Sequence, residues 1–210
     1  MNVLCYSFSN NRELIEVTWD SLNFYCERRG YTFKGLTETL EAQYKPHWNK
    51  IHYAVKFLQE EPSFDYFVWF DHDILIKNHD IKLEDIIKEY GFDKSSESFM
   101  LSEEVGSVDV PFNTGVIIFK NNKKVLEIFN SFLNGRGDPA NYESGLQDTL
   151  AILDYFNKNK EDFCLVPHRV LQSCASGNHL NAYEKGDFCG HVSGAQENSL
   201  LISMNDLINL

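Results

Sequence analysis

The chain has 210 residues, 43% hydrophobic and 14% aromatic, which is enough apolar material for the core of one domain and too much for a disordered chain. Its formal net charge of −12 excludes a nucleic-acid binder, which needs a basic surface, but allows a phosphorylated ligand held through a metal cation. No apolar run reaches the length of a membrane span, and the opening MNVLCYSFSN lacks the charged and apolar regions of a signal peptide.

In chain order, Val3 to Phe8 reads as a buried strand. Residues 10–29 read as a helix, with Leu14, Ile15, Trp19 and Leu22 at helical spacing and Gly30 as its stop. Tyr31 to Leu36 gives a second strand, and Trp48 to Gln59 a helix ended by Pro62. The most informative stretch follows: FDYFVWFDHDILIKN, from Phe64 to Asn78. Tyr66 to Phe70 has no polar residue, which suits a strand buried on both faces. The strand ends in Asp71-His72-Asp73, and residues two apart on an extended chain point the same way. Two carboxylates held together at the rim of a core are costly unless a cation lies between them, and a divalent metal meets that cost. The same residues also fit a loop leaving the core through two solvated aspartates.

A short strand, Ile74 to Ile76, and a helix over 82–90 come next. Strands over 99–102 and 115–120 follow, then helices over 123–133 and 146–157. The alternation predicts an α/β fold with a mostly parallel sheet flanked by helices, in a single domain spanning 1–210. After Cys164 the pattern loosens, and that last part is expected to be rich in loops. The five cysteines (Cys5, Cys26, Cys164, Cys174 and Cys189) are scattered and form no CxxC pair, so they read as reduced thiols of a cytoplasmic protein. Cys189 is a structural thiol rather than a nucleophile on this reading.

Five segments together carry a resemblance. PHWNKIHYAVKFL, VWFDHDILIKN, FNTGVIIFKNNKKVLEIFNSF, LQDTLAIL and LVPHRVLQS with GHVSG are similar, in this order, to motifs of the GT-A-fold, nucleotide-sugar-dependent galactosyl/mannosyl/xylosyltransferase family. The resemblance implies a GT-A-type sheet and a metal site of Asp71, Asp73 and His191. Asp73 would be the direct ligand, and Asp71 would serve the metal or the ribose. Carboxylates, an imidazole and diphosphate oxygens suit Mn²⁺ better than Mg²⁺. The resemblance also implies that Lys50 reaches the diphosphate or ribose of a UDP-sugar, that Asn113 holds sugar hydroxyls, and that Gln147 and Asp148 lie beside the anomeric carbon. Gly194, in the His-x-x-Gly segment, is carried over as a donor-binding position. Tyr6, Ser7 and Asn10, where the first strand ends, are the expected nucleoside contacts. Each position has a plainer reading as well: a loop histidine for His191, a solvated lysine for Lys50, a turn asparagine for Asn113, and for Asp148 a carboxylate favoured by the helix dipole.

Two positions depart from the family. Gln196 stands where relatives often carry a diphosphate-binding lysine, and Leu146 where some carry a carboxylate for sugar hydroxyls. The expected activity is transfer of a hexose or deoxyhexose from a UDP-sugar to a glycan or glycoprotein, with retention. Two alternatives are a haloacid dehalogenase-like phosphohydrolase and a catalytically silent sugar-nucleotide-binding domain, either of which, like the transferase, fits the amino-terminal part of a longer protein.

Overall fold

In chain order the elements are β1 (Val3–Phe8), α1 (Arg12–Arg29), β2 (Thr32–Leu36), α2 (Asn49–Glu60), β3 (Tyr66–Phe70), β4 (Ile74–Ile76), α3 (Leu83–Glu89), β5 (Phe99–Glu103), β6 (Phe112–Lys120), α4 (Lys123–Gly135), α5 (Gln147–Phe156), β7 (Phe163–Val166), β8 (Ser173–Cys174), β9 (Cys189–His191) and α6 (Glu197–Asn209). The structure is a computed structural model that describes residues 1–104, 109–135, 147–175, 182–192 and 197–209.

Six strands form the main sheet in the order β2-β1-β3-β6-β5-β7. β1 runs parallel to β2 and β3, and β5 parallel to β7; β6 alone is reversed, antiparallel to β3 and β5. The continuous apolar run of β3 is explained by burial on both faces. Tyr66, Val68 and Phe70 enter a core shared with α1 and α3, whereas Phe67 and Trp69 enter one shared with α2, α4 and α5. A second sheet, β4-β9-β8, lies on the α1 side, and Leu14, Leu75, Val192, Met204 and Leu207 close a third cluster beside it.

Local chemistry accounts for most element ends. Asn11 rather than Asn10 starts α1: it has extended backbone, and its side chain accepts from the N–H groups of Glu13 at 3.1 Å and Leu14 at 3.3 Å. Gly30 ends the helix at φ 72°, a left-handed conformation that glycine adopts without strain. β6 begins three residues before the predicted strand, because Phe112 and Asn113 pair with Glu103 and Ser102 beyond a register shift at Leu101/Ser102, where β6 carries the extra residues.

After Cys164 the described chain is rich in loops up to α6, holding only the end of β7 and the short β8 and β9, and α6 is the element the sequence did not suggest. These strands are two to four residues long, too short to show an alternating pattern in the sequence.

Candidate metal and donor site

β3 delivers Asp71 to the edge of the core, and the main-chain ladder continues one step past the strand, with the Asp71 N–H donating to the Gly115 carbonyl at 2.7 Å. The chain then turns instead of staying extended. The Ile74 N–H donates to the Asp71 carbonyl at 3.2 Å, so a tight turn, not strand alternation, brings Asp71 and Asp73 together. From that turn β4 pairs antiparallel with β9, and the register sets Ile74 opposite His191. The Val192 N–H donates to the Asp73 carbonyl at 3.1 Å, clamping the two segments beside the aspartates. This pairing carries a histidine from the far end of the chain into the acidic turn.

His191 Nε2 lies 3.2 Å from Asp73 Oδ1 and 3.9 Å from Asp71 Oδ2. One ligand atom from each of the three residues falls within a 4.8 Å cluster. Asp71 divides its two oxygens between two tasks. Oδ1 accepts from the Trp69 indole at 2.6 Å and lies 3.2 Å from the Lys50 ammonium, which leaves Oδ2 facing the imidazole. Burial pulls the His191 imidazole down, but the Asp73 charge and hydrogen bond, helped by Asp71, outweigh burial and the Lys50 charge and raise it above the usual value. Burial likewise pushes Asp73 up, yet the charge and hydrogen bond of His191, with His72 nearby, hold it below the usual carboxylate range. Two oxygens and a nitrogen, from half-buried aspartates and a buried imidazole, are a chemically sound donor set for a divalent cation.

Beside this cluster, α2 and α5 are clasped end to end. Trp48, just before α2, donates from its indole to Gln147 Oε1 at 3.1 Å. Lys50 Nζ lies 2.9 Å from Asp148 Oδ2 and donates to the Thr114 carbonyl at 3.0 Å. With Asp71 these make three oxygens around an ammonium that is itself buried. Burial pulls the lysine down, but Asp148 and then Asp71 raise it, so it stays charged. The Trp-x-Lys and Gln-Asp motifs are therefore two sides of one contact. Thr114 and Thr149 extend it through a hydroxyl pair at 2.9 Å.

The remaining predicted positions fall in different settings. Asn113 uses both ends of its amide, accepting from the Gly115 N–H at 2.8 Å and donating to Glu104 Oε2 at 2.7 Å. Tyr6 is fully buried against Phe57 and Trp69, and its hydroxyl donates to the Lys50 carbonyl at 3.2 Å, so it supports α2 rather than facing a nucleoside. Ser7 is buried with no hydrogen-bond partner for Oγ among the described residues, whereas Asn10 is exposed. Lys50 has its ammonium ringed by three protein oxygens instead of extended toward a diphosphate. Gly194, Leu146 and Gln196 lie outside the described residues. Cys189 donates to the Leu171 carbonyl at 3.0 Å, and burial pushes its thiol far up, which suits a structural role.

Sequence reasoning missed the Trp48–Gln147 contact, Glu104 and, above all, Gln172. The last is buried next to His191 in the space left by Gly115, where an added Cβ would stand 2.5 Å from Gln172 Oε1 and 2.6 Å from His191 Nδ1. Its only signal was its place in the LVPHRVLQS segment, with no spacing to mark it.

The fold is GT-A-like, the fold of glycosyltransferases of known structure. Residues 5–90 match the model of the galactosyl transferase GMA12/MNN10 family. The chain is 25% identical, over 81% of its own length, to an uncharacterised alpha-1,2-galactosyltransferase of Schizosaccharomyces pombe, and spans about half (53%) of that protein. A crystal structure of a glycosyltransferase involved in the glycosylation of the major capsid of PBCV-1 superposes with a TM-score of 0.78, covering 100% of both chains at 18% identity. The glycosyltransferase GlyE of Streptococcus pneumoniae TIGR4 superposes with a TM-score of 0.53 at 14% identity, over 80% of this chain and 45% of that one. At these identities the likeness to solved structures is one of fold. Among the described residues no helix is long and apolar enough to cross a membrane.

Proposed function

We propose that this chain transfers a hexose or deoxyhexose from a UDP-sugar to a hydroxyl of a glycan or glycoprotein, with retention, using a divalent cation held by Asp71, Asp73 and His191. The observation that carries the reading is the convergence of these three side chains within 4.8 Å, although His191 lies far along the chain from the two aspartates. Mn²⁺ fits the mixed oxygen and nitrogen donors better than Mg²⁺, which prefers oxygen and retained water. Such a cation supplies charge neutralisation for the departing nucleoside diphosphate.

The protein's own groups account for the rest. Lys50 fixes Asp71 through Oδ1 so that Oδ2 stays directed at the cluster. The same ammonium holds Asp148 at the start of α5, beside Gln147, whose Nε2 has no partner among the described residues and is left as a donor for a sugar oxygen. Asn113, braced by Glu104, would face the sugar hydroxyls. By the family resemblance Leu146 takes the place of a carboxylate that holds sugar hydroxyls in some relatives, and a leucine there would favour glucose over galactose, or a 6-deoxy sugar. The fold neighbour named for capsid glycosylation supports a glycoprotein as acceptor. A phosphohydrolase of the dehalogenase type carries its Asp-x-Asp after the first strand of the sheet. Here it follows β3, so nothing in the site favours that reading.

A thermal-shift panel of nucleotide sugars, with and without Mn²⁺, tests the proposal, since a ligand of the folded state stabilises it by mass action. A UDP-sugar that stabilises only with Mn²⁺, followed by UDP release on adding acceptor, is the expected result. Equal response to all nucleotides without metal would sink it, and donor binding without turnover would favour the silent binding domain.

A further inference from the structure

His191 turns Nε2 toward the two carboxylates, so Nε2 is the atom it would present to a cation. A neutral imidazole that coordinates through Nε2 carries its proton on Nδ1, and a buried N–H needs an acceptor. In this structure Nδ1 has no hydrogen-bond partner among the described residues, although His191 is 5% exposed. Gln172 is also 5% exposed, and both Oε1 and Nε2 of its side chain lack partners as well. Orphaned polar atoms on two adjacent buried side chains are unusual, because each costs about 1–3 kcal/mol when left unpaired.

These atoms share one space. Gly115 opens it: an added Cβ there would stand 2.4 Å from His191 Cε1, 2.5 Å from Gln172 Oε1 and 2.6 Å from His191 Nδ1. The Gln172 backbone is firmly placed beside it. Its carbonyl accepts from the Arg169 N–H at 3.1 Å, and the neighbouring Leu171 is pinned by the Ser102 hydroxyl at 3.2 Å and the Cys189 thiol at 3.0 Å. Arg169 sits at φ 74° and is anchored by Asp187 and Glu184, which fixes the turn leading to Gln172. The orphaned Oε1 and Nδ1 thus border the same space beside Gly115.

We infer that Gln172 is the positioning residue of the metal site: its Oε1 accepts the Nδ1–H of His191 and fixes the tautomer whose Nε2 faces Asp71 and Asp73. The opposite orientation, with the amide NH₂ donating to Nδ1, would put the proton on Nε2 and block coordination. Gln172 touches neither cation nor substrate; it acts through the imidazole. This rests on the proposed metal site, and it adds a residue that the acidic motif does not reveal.

The test is Mn²⁺ affinity in the presence of UDP, read from the free-Mn²⁺ paramagnetic resonance signal. Gln172→Met keeps the volume and removes the acceptor; it should weaken Mn²⁺ binding roughly 10- to 100-fold, the range found for partners of ligating histidines. Gln172→Glu keeps an acceptor and should stay near wild type. In a His191→Ala background, Gln172→Met should have no further effect, because the group it acts through is gone. Should Gln172→Met not fold, Gln172→Thr, whose hydroxyl falls short of the ring, takes its place with the same expectation. Wild-type affinity in Gln172→Met, or an equal loss with and without His191, overturns the inference alone. A wild-type protein that takes up no Mn²⁺ with UDP overturns the metal-dependent function and the inference resting on it together.

Discussion

Lys50 and His191 stand on either side of Asp71 and are equally buried, yet their surroundings differ. The lysine has its charge met by Asp148, Asp71 and the Thr114 carbonyl. The histidine has one satisfied face, toward Asp73, and one orphaned face, beside an orphaned glutamine. The lysine's own charge is met without a ligand, and it joins α2 to α5. The imidazole side is incomplete and gains most from one. Burial alone therefore does not separate a structural charge from a functional one; the state of its hydrogen bonds does.

The comparison breaks first at the lysine. Lys50→Met would leave Asp148 buried and unpaired, an outcome that costs about 3–5 kcal/mol, whereas Lys50→Met with Asp148→Leu should recover much of the loss. Urea unfolding of the three proteins measures this. A single variant as stable as wild type would show that Lys50 is not holding the two helices.

On the other side, Asp73→Ala should remove Mn²⁺-dependent UDP binding, with a loss of at least ~100-fold, more than a supporting residue would cost. Its folding stability should change far less than that of Lys50→Met. Calorimetry with and without Mn²⁺ decides it, and metal-dependent affinity equal to wild type would remove Asp73 from the site.

Gly115→Ala sharpens the contrast, because the three atoms nearest the added carbon belong to His191 and Gln172. Overpacking of this kind costs about 1–3 kcal/mol and should displace the imidazole, weakening Mn²⁺ more than it disturbs the α2–α5 clasp. Unchanged metal affinity in a folded Gly115→Ala would place the imidazole elsewhere.

The smallest effect is one of pH. Asp73 raises the His191 imidazole, so protons compete with the cation at a higher pH than for an ordinary histidine, and Mn²⁺ affinity should already decline above about 6.5 as pH falls. His191→Ala should flatten that decline, and a retained wild-type profile would assign it to another group. In the metal-free protein the sign is opposite for the two partners. The raised histidine stabilises fully below its unfolded value and loses that contribution as pH rises through its folded one. The depressed Asp73 stabilises above its unfolded value and loses it as pH falls through its folded one. Metal-free stability from this pair should therefore be greatest between about 4 and 6.5, the two unfolded values.

Much of this was legible in the sequence because it is local. The unbroken run Tyr66–Phe70, the helical spacing of α1 and the strand-helix alternation follow from one residue's relation to its near neighbours, and they determined the layered α/β fold. The two aspartates after β3 were visible for the same reason, as an extended pair rather than a turn, whereas the motifs around Lys50, Asp148 and His191 were legible only through the family resemblance. Tertiary structure decided what those motifs do to one another. Only the β4–β9 register brings His191 to Asp73, and only the meeting of α2 with α5 turns Lys50 inward between two carboxylates. Tyr6 became a core residue because its strand is flanked on both sides by β2 and β3 and is packed by Phe57 and Trp69. Gln172 carried no signal, since a glutamine gains a role only from the unpaired atoms that distant segments place beside it. Hydrophobic periodicity is short-ranged and readable along a chain, whereas hydrogen-bond satisfaction in a buried site is set by which distant segments the fold brings together.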